Sequence, residues 1–280
     1  MSGFNAFKEH IEFNPQKPWN VDYIFFDRDI SVSPLHYAET VEVLFCHAAK
    51  GYVRIDSTQF DISGNKVFFI APGTIHSTSY QNSNGQVTNI KLDLACLKSY
   101  IDIEAIVADY GLSLQQLSTT VPYNEKTVKI SHILRHPDSD FFEVLTAILA
   151  FFNILIQNSI QNGCAKCNLV ADDSLKKIIS WTEHNFYRKI SLDEVASLLG
   201  YNKYYFCNKF KKSTGISYFN YLNTLRIHNA CYLLKKGYTI NEVCEICGFD
   251  SISYFIQLFK KIVGLTPKKY ITSTTNTIDR

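Results

Sequence analysis

The chain has 280 residues, 46% hydrophobic and 19% charged, which excludes an intrinsically disordered protein and fits one or two folded domains. The net charge of +2 is unevenly divided. Residues 171–280 carry 16 Lys and Arg against 9 Asp and Glu, whereas residues 1–170 carry 12 against 17. A basic half beside an acidic half indicates a polyanion-binding module joined to another module, although a chance scatter of solvated lysines gives the same totals.

Two further features bear on the cellular compartment. The first 17 residues, MSGFNAFKEHIEFNPQK, have no apolar stretch behind a basic start, so no secretory signal is predicted. The eight cysteines are scattered, as in reduced cytoplasmic proteins. CAKC, at residues 164–167, is a lone C-x-x-C pattern, more typical of free thiols than of a zinc-held cysteine cluster.

The amino-terminal residues, up to about residue 96, have the pattern of a β domain. Short runs of Val, Ile, Phe and Tyr alternate with Gly, Asn, Asp and Pro turns, which predicts a sandwich or small barrel over about 20–96. Helical periodicity follows over about 97–161 and ends in the apolar run 141–156. That run is short for a membrane span and is predicted to be an internal helix that also forms a dimer interface. The residues predicted at this interface are Ile148, Phe151, Phe152 and Leu155.

The predicted fold class is therefore α+β with two domains, at 1–161 and 173–280, joined by a polar linker at 162–172. The second domain is predicted to be entirely helical and contains a repeat. SLDEVASLLGY, residues 191–201, matches TINEVCEICGF, residues 239–249. Each segment starts with a capping box, Ser191 with Glu194 and Thr239 with Glu242. Each ends at a glycine placed where a helix terminates in the left-handed conformation.

The repeat continues into a second helix in each copy, so each copy reads as a helix-turn-helix motif, at about 191–213 and 239–262. Phenylalanines four residues apart, Phe206 and Phe210 in the first copy, are predicted to anchor this helix. The opposite face then faces outward and fits a DNA major groove. One helix over 217–236, roughly 30 Å long, is predicted to join the copies. A plain helical bundle with two similar hairpins is the alternative.

Residues 172–272 resemble the two-part DNA-binding domain of the AraC/XylS family of bacterial transcription regulators. The resemblance rests on EVASLLGY…FCNKFKKSTG and EVCEICGFDSISYFIQLFKKIVGLTPKKYI. It implies a cytoplasmic regulator, nucleoid-associated when bound to DNA, that binds double-stranded promoter DNA and activates transcription with RNA polymerase. It also implies a homodimer that is not an enzyme, has no membrane partner and needs no cofactor.

The departures from the family pattern predict base preference. Relatives often have Arg where this chain has Asn208 and Gln257, and Asn or Gln suits adenine rather than guanine. An A·T-rich target is therefore expected. The predicted base contacts are Tyr204, Cys207, Asn208, Ile252, Ser253, Ile256 and Gln257. The predicted phosphate contacts are Lys203, Lys211, Lys212, Ser251, Lys260, Lys261, Lys268 and Lys269.

The segment from Pro34 to Ser77 resembles the cupin-like sensor barrel common in this family, through a His, a Glu-bearing strand and a Pro-Gly-Thr-x-His turn. The predicted ligand-binding residues are Tyr23, His36, Glu42, Tyr52, Arg54, Phe69 and His76. Three interpretations stay open: a polar pocket for a small effector, histidines that only cap loops, and a metal enzyme. The family's sensors make a sugar the first choice of effector. No metal is predicted, because Ala38 stands where metal-binding cupins have a second His.

Overall fold

The computed structural model describes residues 13, 17–25, 31–81, 85–117, 119–136, 139–162 and 173–275. Its strands are β1 (Trp19–Phe25), β2 (Ser31–His36), β3 (Val41–Ile55), β4 (Thr58–Ile70), β5 (His76–Gln81), β6 (Gln86–Leu92) and β7 (Thr120–Val121). Its helices are α1 (Leu94–Leu97), α2 (Ile103–Asp109), α3 (Glu125–Arg135), α4 (Phe141–Gln161), α5 (Asp173–Asn185), α6 (Leu192–Ser197), α7 (Lys203–Thr214), α8 (Tyr218–Lys235), α9 (Ile240–Ile246), α10 (Ile252–Val263) and α11 (Pro267–Thr275). A largely β amino-terminal region thus precedes a helical carboxy-terminal region, as predicted. The predicted linker lies outside the described residues, apart from Asn162.

The strands form one antiparallel sheet in the order β1–β6–β3–β4–β7, and β5 joins β2 to β3. The long strand β3 is central to it. A bulge between Cys46 and Ala49 divides β3 into a first part paired with β6 and a second part paired with β5. Since a bulge bends its strand, β3 passes from one ladder into the other. This bend brings the ends of β2, β3 and β5 together.

Successive residues of the sheet point to opposite faces, and both faces are buried. One face carries Val43 and Phe69 and packs against the amino-terminal helices in one hydrophobic core. The other face carries Leu44, Phe68 and Ile70, which cluster with further apolar strand residues. This second cluster fills the interior behind the sheet with side chains.

Helix α4 is a core helix of its own subunit. The ring of Phe151 lies 6.1 Å from that of Phe45, and the ring of Phe152 lies 6.0 Å from that of Phe69. All four residues predicted at the dimer interface are at most 2% exposed. That prediction is corrected, because these side chains pack against their own sheet and are unavailable to a second copy: Ile148, Phe151, Phe152 and Leu155.

Helix α4 is longer than the apolar run at 141–156 and stays within the helical segment predicted over about 97–161. The helix continues past the apolar run to Gln161, and an 18-residue stretch of it has a mean hydropathy of 1.6. Among the described residues it is the one helix long and apolar enough to cross a membrane. The apolar residues of α4 that face the sheet are buried in the protein core.

The repeated helices α6 and α9 begin at the predicted caps. The Ser191 hydroxyl accepts the Glu194 N–H at 3.2 Å, and the Thr239 hydroxyl accepts the Glu242 N–H at 3.3 Å. The reciprocal bond forms only at α9, where the Glu242 carboxylate accepts the Thr239 N–H at 2.8 Å. At α6 the Glu194 carboxylate instead accepts a bond from Arg188 at 2.6 Å. The first capping box is therefore half-formed, because a nearby guanidinium competes for the carboxylate.

The long helix α8 belongs to two hydrophobic cores. Its first half, including Tyr221 and Leu222, packs with α5, α6 and α7. Its second half, including Leu233 and Leu234, packs with α9, α10 and α11. Cys244 and Cys247 are 4% and 0% exposed and belong to this second cluster. One helix thus supports both copies of the repeat.

The turns after α6 and α9 give a matched pair of glycine variants. Gly200 and Gly248 have φ values of 67° and 73°, so Ala at either site costs roughly 1–2 kcal/mol of backbone strain. A Cβ at Gly200 would meet nothing within 4 Å, whereas at Gly248 it would lie 2.6 Å from the carbonyl oxygen of Tyr187. Gly248→Ala is therefore expected to lower the free energy of unfolding by about 2 kcal/mol more than Gly200→Ala. Urea denaturation followed by circular dichroism measures both, and equal losses would contradict this packing.

Candidate nucleic-acid interface and sensor site

Helices α7 and α10 each bury one face and expose the other. In α7, Phe206 and Phe210 are 2% and 1% exposed, whereas Tyr204 is 80% exposed. In α10, Phe255 and Phe259 are both fully buried. Of the predicted base contacts, Tyr204, Asn208, Ile252, Ser253 and Gln257 are exposed, and Cys207 and Ile256 are half-buried. Each helix therefore presents a mixed polar and apolar ridge of the size that a major groove accepts.

The predicted phosphate contacts are all exposed. The lysine pairs Lys211–Lys212 and Lys260–Lys261 lie in the last turns of α7 and α10. Positive charge there also stabilises the carboxyl end of a helix, so these lysines have a structural role besides any contact with DNA. The remaining positions are Lys203, 3.5 Å from Asp193; Ser251, the N-cap of α10; and Lys268 and Lys269 in α11.

Arg226, in the middle of α8, joins the two helix pairs. Its Nε donates to the carbonyl of Phe186 at 2.9 Å and its Nη2 to the carbonyl of Arg188 at 2.8 Å. Its guanidinium carbon also lies 5.6 Å from the centre of the Phe249 ring, in the turn between α9 and α10. A planar guanidinium makes such a fork and such a stack together, and an ammonium group cannot. This side chain therefore links the turn after α5 to the second helix pair.

Sequence reasoning missed Arg226, because its partners are carbonyls about 40 residues away in sequence that no local pattern reveals. It also missed Tyr205 and Tyr254, which are 50% and 49% exposed near the starts of α7 and α10. The hydroxyl of Tyr254 accepts a bond from Asn223 of α8 at 3.1 Å. Exposed tyrosines beside the predicted ridge are the signal that was available for these two.

In the amino-terminal half, three of the predicted ligand-binding residues come together: His36, Glu42 and His76. One candidate ligand atom of each lies within 4.8 Å of the other two. The rings of the two histidines are 4.2 Å apart, and His76 Nε2 lies 3.7 Å from Glu42 Oε1. Glu42 and His76 are buried and His36 is half-buried. We call this cluster the His–Glu triad.

Burial and mutual attraction set the charges of the triad. Burial lowers the pKa of His36 to about 4, and the nearby charge of His76 adds to this effect. Burial also disfavours charge on His76, but the Glu42 carboxylate outweighs it and raises the pKa of His76. Burial likewise opposes ionisation of Glu42, yet the attraction of His76 holds the Glu42 pKa well below its ordinary value. The triad therefore holds an ion pair beside a neutral imidazole.

The other four predicted ligand-binding residues lie elsewhere. Phe69 packs against α4 on the face of the sheet opposite to Glu42. Tyr23 is 46% exposed, and its hydroxyl donates to the carbonyl of Arg135 at 3.1 Å. Tyr52 lies beneath the Arg54 guanidinium at 6.0 Å, and Arg54 itself lies against Gly215, the C-cap of α7. The seven residues thus do not line one pocket.

The sheet meets the carboxy-terminal helices close to the triad. Leu35 and Ile75, the neighbours of His36 and His76, are 1% and 4% exposed within the core of α5 to α8. The ring of Tyr37, the residue after His36, has its centre 5.4 Å from the Lys176 ammonium nitrogen. Strand β2 runs alongside α8 and approaches α10. The two halves of the chain therefore share a packed contact at this edge of the sheet.

Comparison with known proteins identifies the carboxy-terminal region. The family model described as "Helix-turn-helix domain" matches residues 195–273. The Tn10 TetD protein of Escherichia coli is 38% identical over 119 residues, which is 39% of this chain and 85% of TetD. YdeC, an HTH-type transcriptional regulator of Bacillus subtilis, is 20% identical over 252 residues, 85% of each chain.

Solved structures of ToxT from Vibrio cholerae share the fold over most of the chain. One has a TM-score of 0.54 at 14% identity and covers 91% of this chain and 97% of ToxT. Another, bound to an unsaturated fatty acid, has a TM-score of 0.51 at 16% identity and covers 90% of this chain and 94% of ToxT. At these identities the likeness concerns the fold alone.

The contacts of Arg226 with Phe186, Arg188 and Phe249, here called the Arg226 junction, give a second prediction. Arg226→Gln leaves the carbonyls of Phe186 and Arg188 without their donors, which is expected to cost about 2–4 kcal/mol of unfolding free energy. The matched control Lys236→Gln removes a charge from the exposed end of α8 and is expected to cost under about 0.5 kcal/mol. Urea denaturation of both variants measures the difference, and similar values would exclude a joining role for Arg226.

Proposed function

Because this chain belongs to the AraC/XylS family of transcription regulators, we propose that it is a bacterial activator with two helix-turn-helix units under effector control. The chain is a DNA-binding transcription regulator. Activation of transcription, DNA binding by two helix-turn-helix units and control by a small effector are the proposed parts of its function. The observation that carries the proposal is the matched exposure of α7 and α10, each with buried phenylalanines beneath an exposed ridge. The proposed domains are 1–161 for sensing and 173–280 for DNA binding.

The length of α8 supports simultaneous contact with two grooves. Its 18 residues span about 27 Å, and successive major grooves on one face of B-DNA are about 34 Å apart. The ridges of α7 and α10 lie on helices attached to opposite halves of α8 and add to that span. Both helices can then meet one face of the duplex together.

The ridge residues favour an A·T-rich target. Asn208 and Gln257 occupy the same place in each helix, seven residues before the C-cap glycines Gly215 and Gly264. An amide side chain makes a bidentate contact with adenine, worth about 1–3 kcal/mol of discrimination. The surrounding lysines contribute affinity that does not depend on sequence and weakens with salt.

The proposed partners follow from the family. The regulator acts in the bacterial cytoplasm, on the nucleoid, as a homodimer that contacts RNA polymerase at promoters. Dimerisation would raise DNA affinity by making the second binding event intramolecular. The homodimer must use a surface other than the four buried α4 residues. A regulatory rather than enzymatic role is proposed for the amino-terminal half.

Effector control is proposed to act through the packed contact between the halves. A ligand that binds one arrangement of this contact better than another shifts the balance by its differential affinity. The first ligand class is a sugar. The unsaturated fatty acid bound to ToxT supports a second class, fatty acids.

A regulator without a small-molecule effector is the second candidate. The tight packing behind the sheet favours it, since Leu44, Cys46, Phe68 and Ile70 are all at most 2% exposed. Under this alternative, abundance or a protein partner controls the chain. The two candidate functions predict different effects of added small molecules on the thermal stability of the chain.

The DNA proposal predicts distinct effects for ridge and lysine variants. Asn208→Ala and Gln257→Ala are each expected to weaken binding to a selected A·T-containing duplex about 5–100-fold and to reduce discrimination at one position. Lys260→Ala is expected to weaken binding to all duplexes alike and to lower the salt slope by about 1. Selection from random duplexes, then titration at several salt concentrations, measures both. Strong guanine preference beneath Asn208 or Gln257 would refute the assignment.

The effector proposal predicts ligand-dependent stability. A true effector at 100 times its dissociation constant stabilises the folded chain by about 2.7 kcal/mol, which raises Tm by several degrees. A thermal-shift screen of sugars and fatty acids, each with and without promoter DNA, measures this. No shift with any compound would favour the regulator without an effector.

A further inference from the structure

The His–Glu triad gathers ligand atoms from three segments. His36 ends β2, Glu42 lies near the start of β3, and His76 begins β5. The bend of β3 brings these strand ends together, so the cluster depends on the fold rather than on one local motif. Two imidazoles and a carboxylate are a ligand set used for divalent first-row transition metals, either Zn²⁺ or Fe²⁺.

Both histidines are held in the orientation that metal ligation requires. His36 Nδ1 lies 2.8 Å from the carbonyl of Pro34, and His76 Nδ1 lies 3.0 Å from the carbonyl of Thr74. Since a carbonyl only accepts, each Nδ1 carries a proton and donates. The Nε2 atoms are then the nitrogens left for a metal, as in metal sites where the second ring nitrogen bonds to a backbone carbonyl. A metal that binds His76 replaces the proton on its Nε2, which is released to solvent.

The carboxylate has matching support. Asn89 Nδ2 donates to Glu42 Oε2 at 2.7 Å, which leaves Oε1 turned toward His76. The Oδ1 atom of Asn89 is buried, and no donor among the described residues reaches it. A buried acceptor without a donor calls for an ion or water nearby. A water bound to a metal at the triad would supply that donor.

We propose that His36, Glu42 and His76 form a regulatory site for a divalent transition metal of the Zn²⁺ class, coupled to the DNA-binding helices. Zinc binds such ligands at about 2.0–2.2 Å, so tetrahedral ligand atoms lie about 3.4 Å apart. The triad atoms lie within 4.8 Å, so closure onto a metal needs movements of about 1 Å. The half-buried His36 provides the path of entry. The absence of a His at Ala38 leaves three protein ligands and an open position.

Coupling follows from the neighbours of the ligands, and this part rests on the proposed function. Leu35 and Ile75 sit inside the core of the DNA-binding half. Tyr37, which follows His36 in sequence, makes a cation–π contact with Lys176 of α5. A movement of about 1 Å in the histidines would be transmitted directly to these side chains, because packed cores deform little. The metal thereby changes how β2 rests on α8 and α10.

Metal titration of the chelator-treated full chain tests the site. Zn²⁺ is expected to bind with one equivalent per chain by calorimetry, and Co²⁺ is expected to give a visible absorption band. His36→Gln and Glu42→Gln are each expected to weaken binding at least about 100-fold, and Asn89→Ala about 10-fold. The matched control His47→Gln alters an exposed histidine of β3 that bonds to Tyr123, and it is expected to bind as wild type does. Circular dichroism establishes that each variant is folded.

A second control covers the C-x-x-C pattern. Cys164 and Cys167 lie outside the described residues, and their double Ser variant is expected to bind Zn²⁺ unchanged. Less than one equivalent in wild type, or binding that follows the cysteines and not the triad, would overturn the site.

The coupling is tested by DNA titration with and without Zn²⁺. DNA affinity is expected to change at least fivefold in wild type and to stay constant in Glu42→Gln. Zinc binding with no change in DNA affinity would overturn the coupling and keep the site. A chain that binds zinc but no duplex at any salt concentration would overturn the proposed function instead.

Discussion

The DNA-binding half depends on one junction, where the Arg226 guanidinium reaches two carbonyls and the ring of Phe249. The backbone of residues 186 and 187 is packed so closely against Gly248 there that no methyl group fits. The first half of α8 packs in the core with α6 and α7, and the second half packs in the core with α9 and α10. Without this junction, α8 would be the only connection between the two helix pairs among the described residues. The junction fixes the angle between the pairs, so the spacing of α7 and α10 becomes a property of the fold. In the proposed function, a shared rigid helix would let two weak groove contacts act as one strong contact.

Among the described residues, the amino-terminal sheet meets this unit through several side chains, some of which are sequence neighbours of the His–Glu triad. Leu35 and Ile75 enter the helical core, Tyr37 meets Lys176, and Arg54 meets the end of α7. The polar cluster and the apolar contact use adjacent residues of β2 and of the segment before β5. A small change at the triad therefore acts next to the contact, with no long pathway between them. This proximity is the physical basis of the regulation proposed to act through the sheet.

The sequence predicted what local rules determine. The caps at Ser191 and Thr239 and the paired phenylalanines follow from spacing along one helix, and the structure has them where expected. Contacts between distant segments were not predictable in this way. The Glu194 carboxylate turned to Arg188, and the apolar face of α4 covered its own sheet rather than a second copy. Burial of a helix face is visible in a sequence, whereas the partner that covers it is not. The predicted ligand-binding residues separated because Phe69 lies on the face of the sheet opposite to Glu42, and because the β3 bulge shifts the alternation of residues that places Tyr52 and Arg54.

Helix α8 and the contacts of Arg226 are proposed to present α7 and α10 to DNA as a single rigid unit. Hydroxyl-radical footprinting of the full chain on a selected duplex measures this most directly. The account predicts two protected patches about 10 base pairs apart, on the same face of the helix. One patch alone, or two patches on opposite faces, would contradict it.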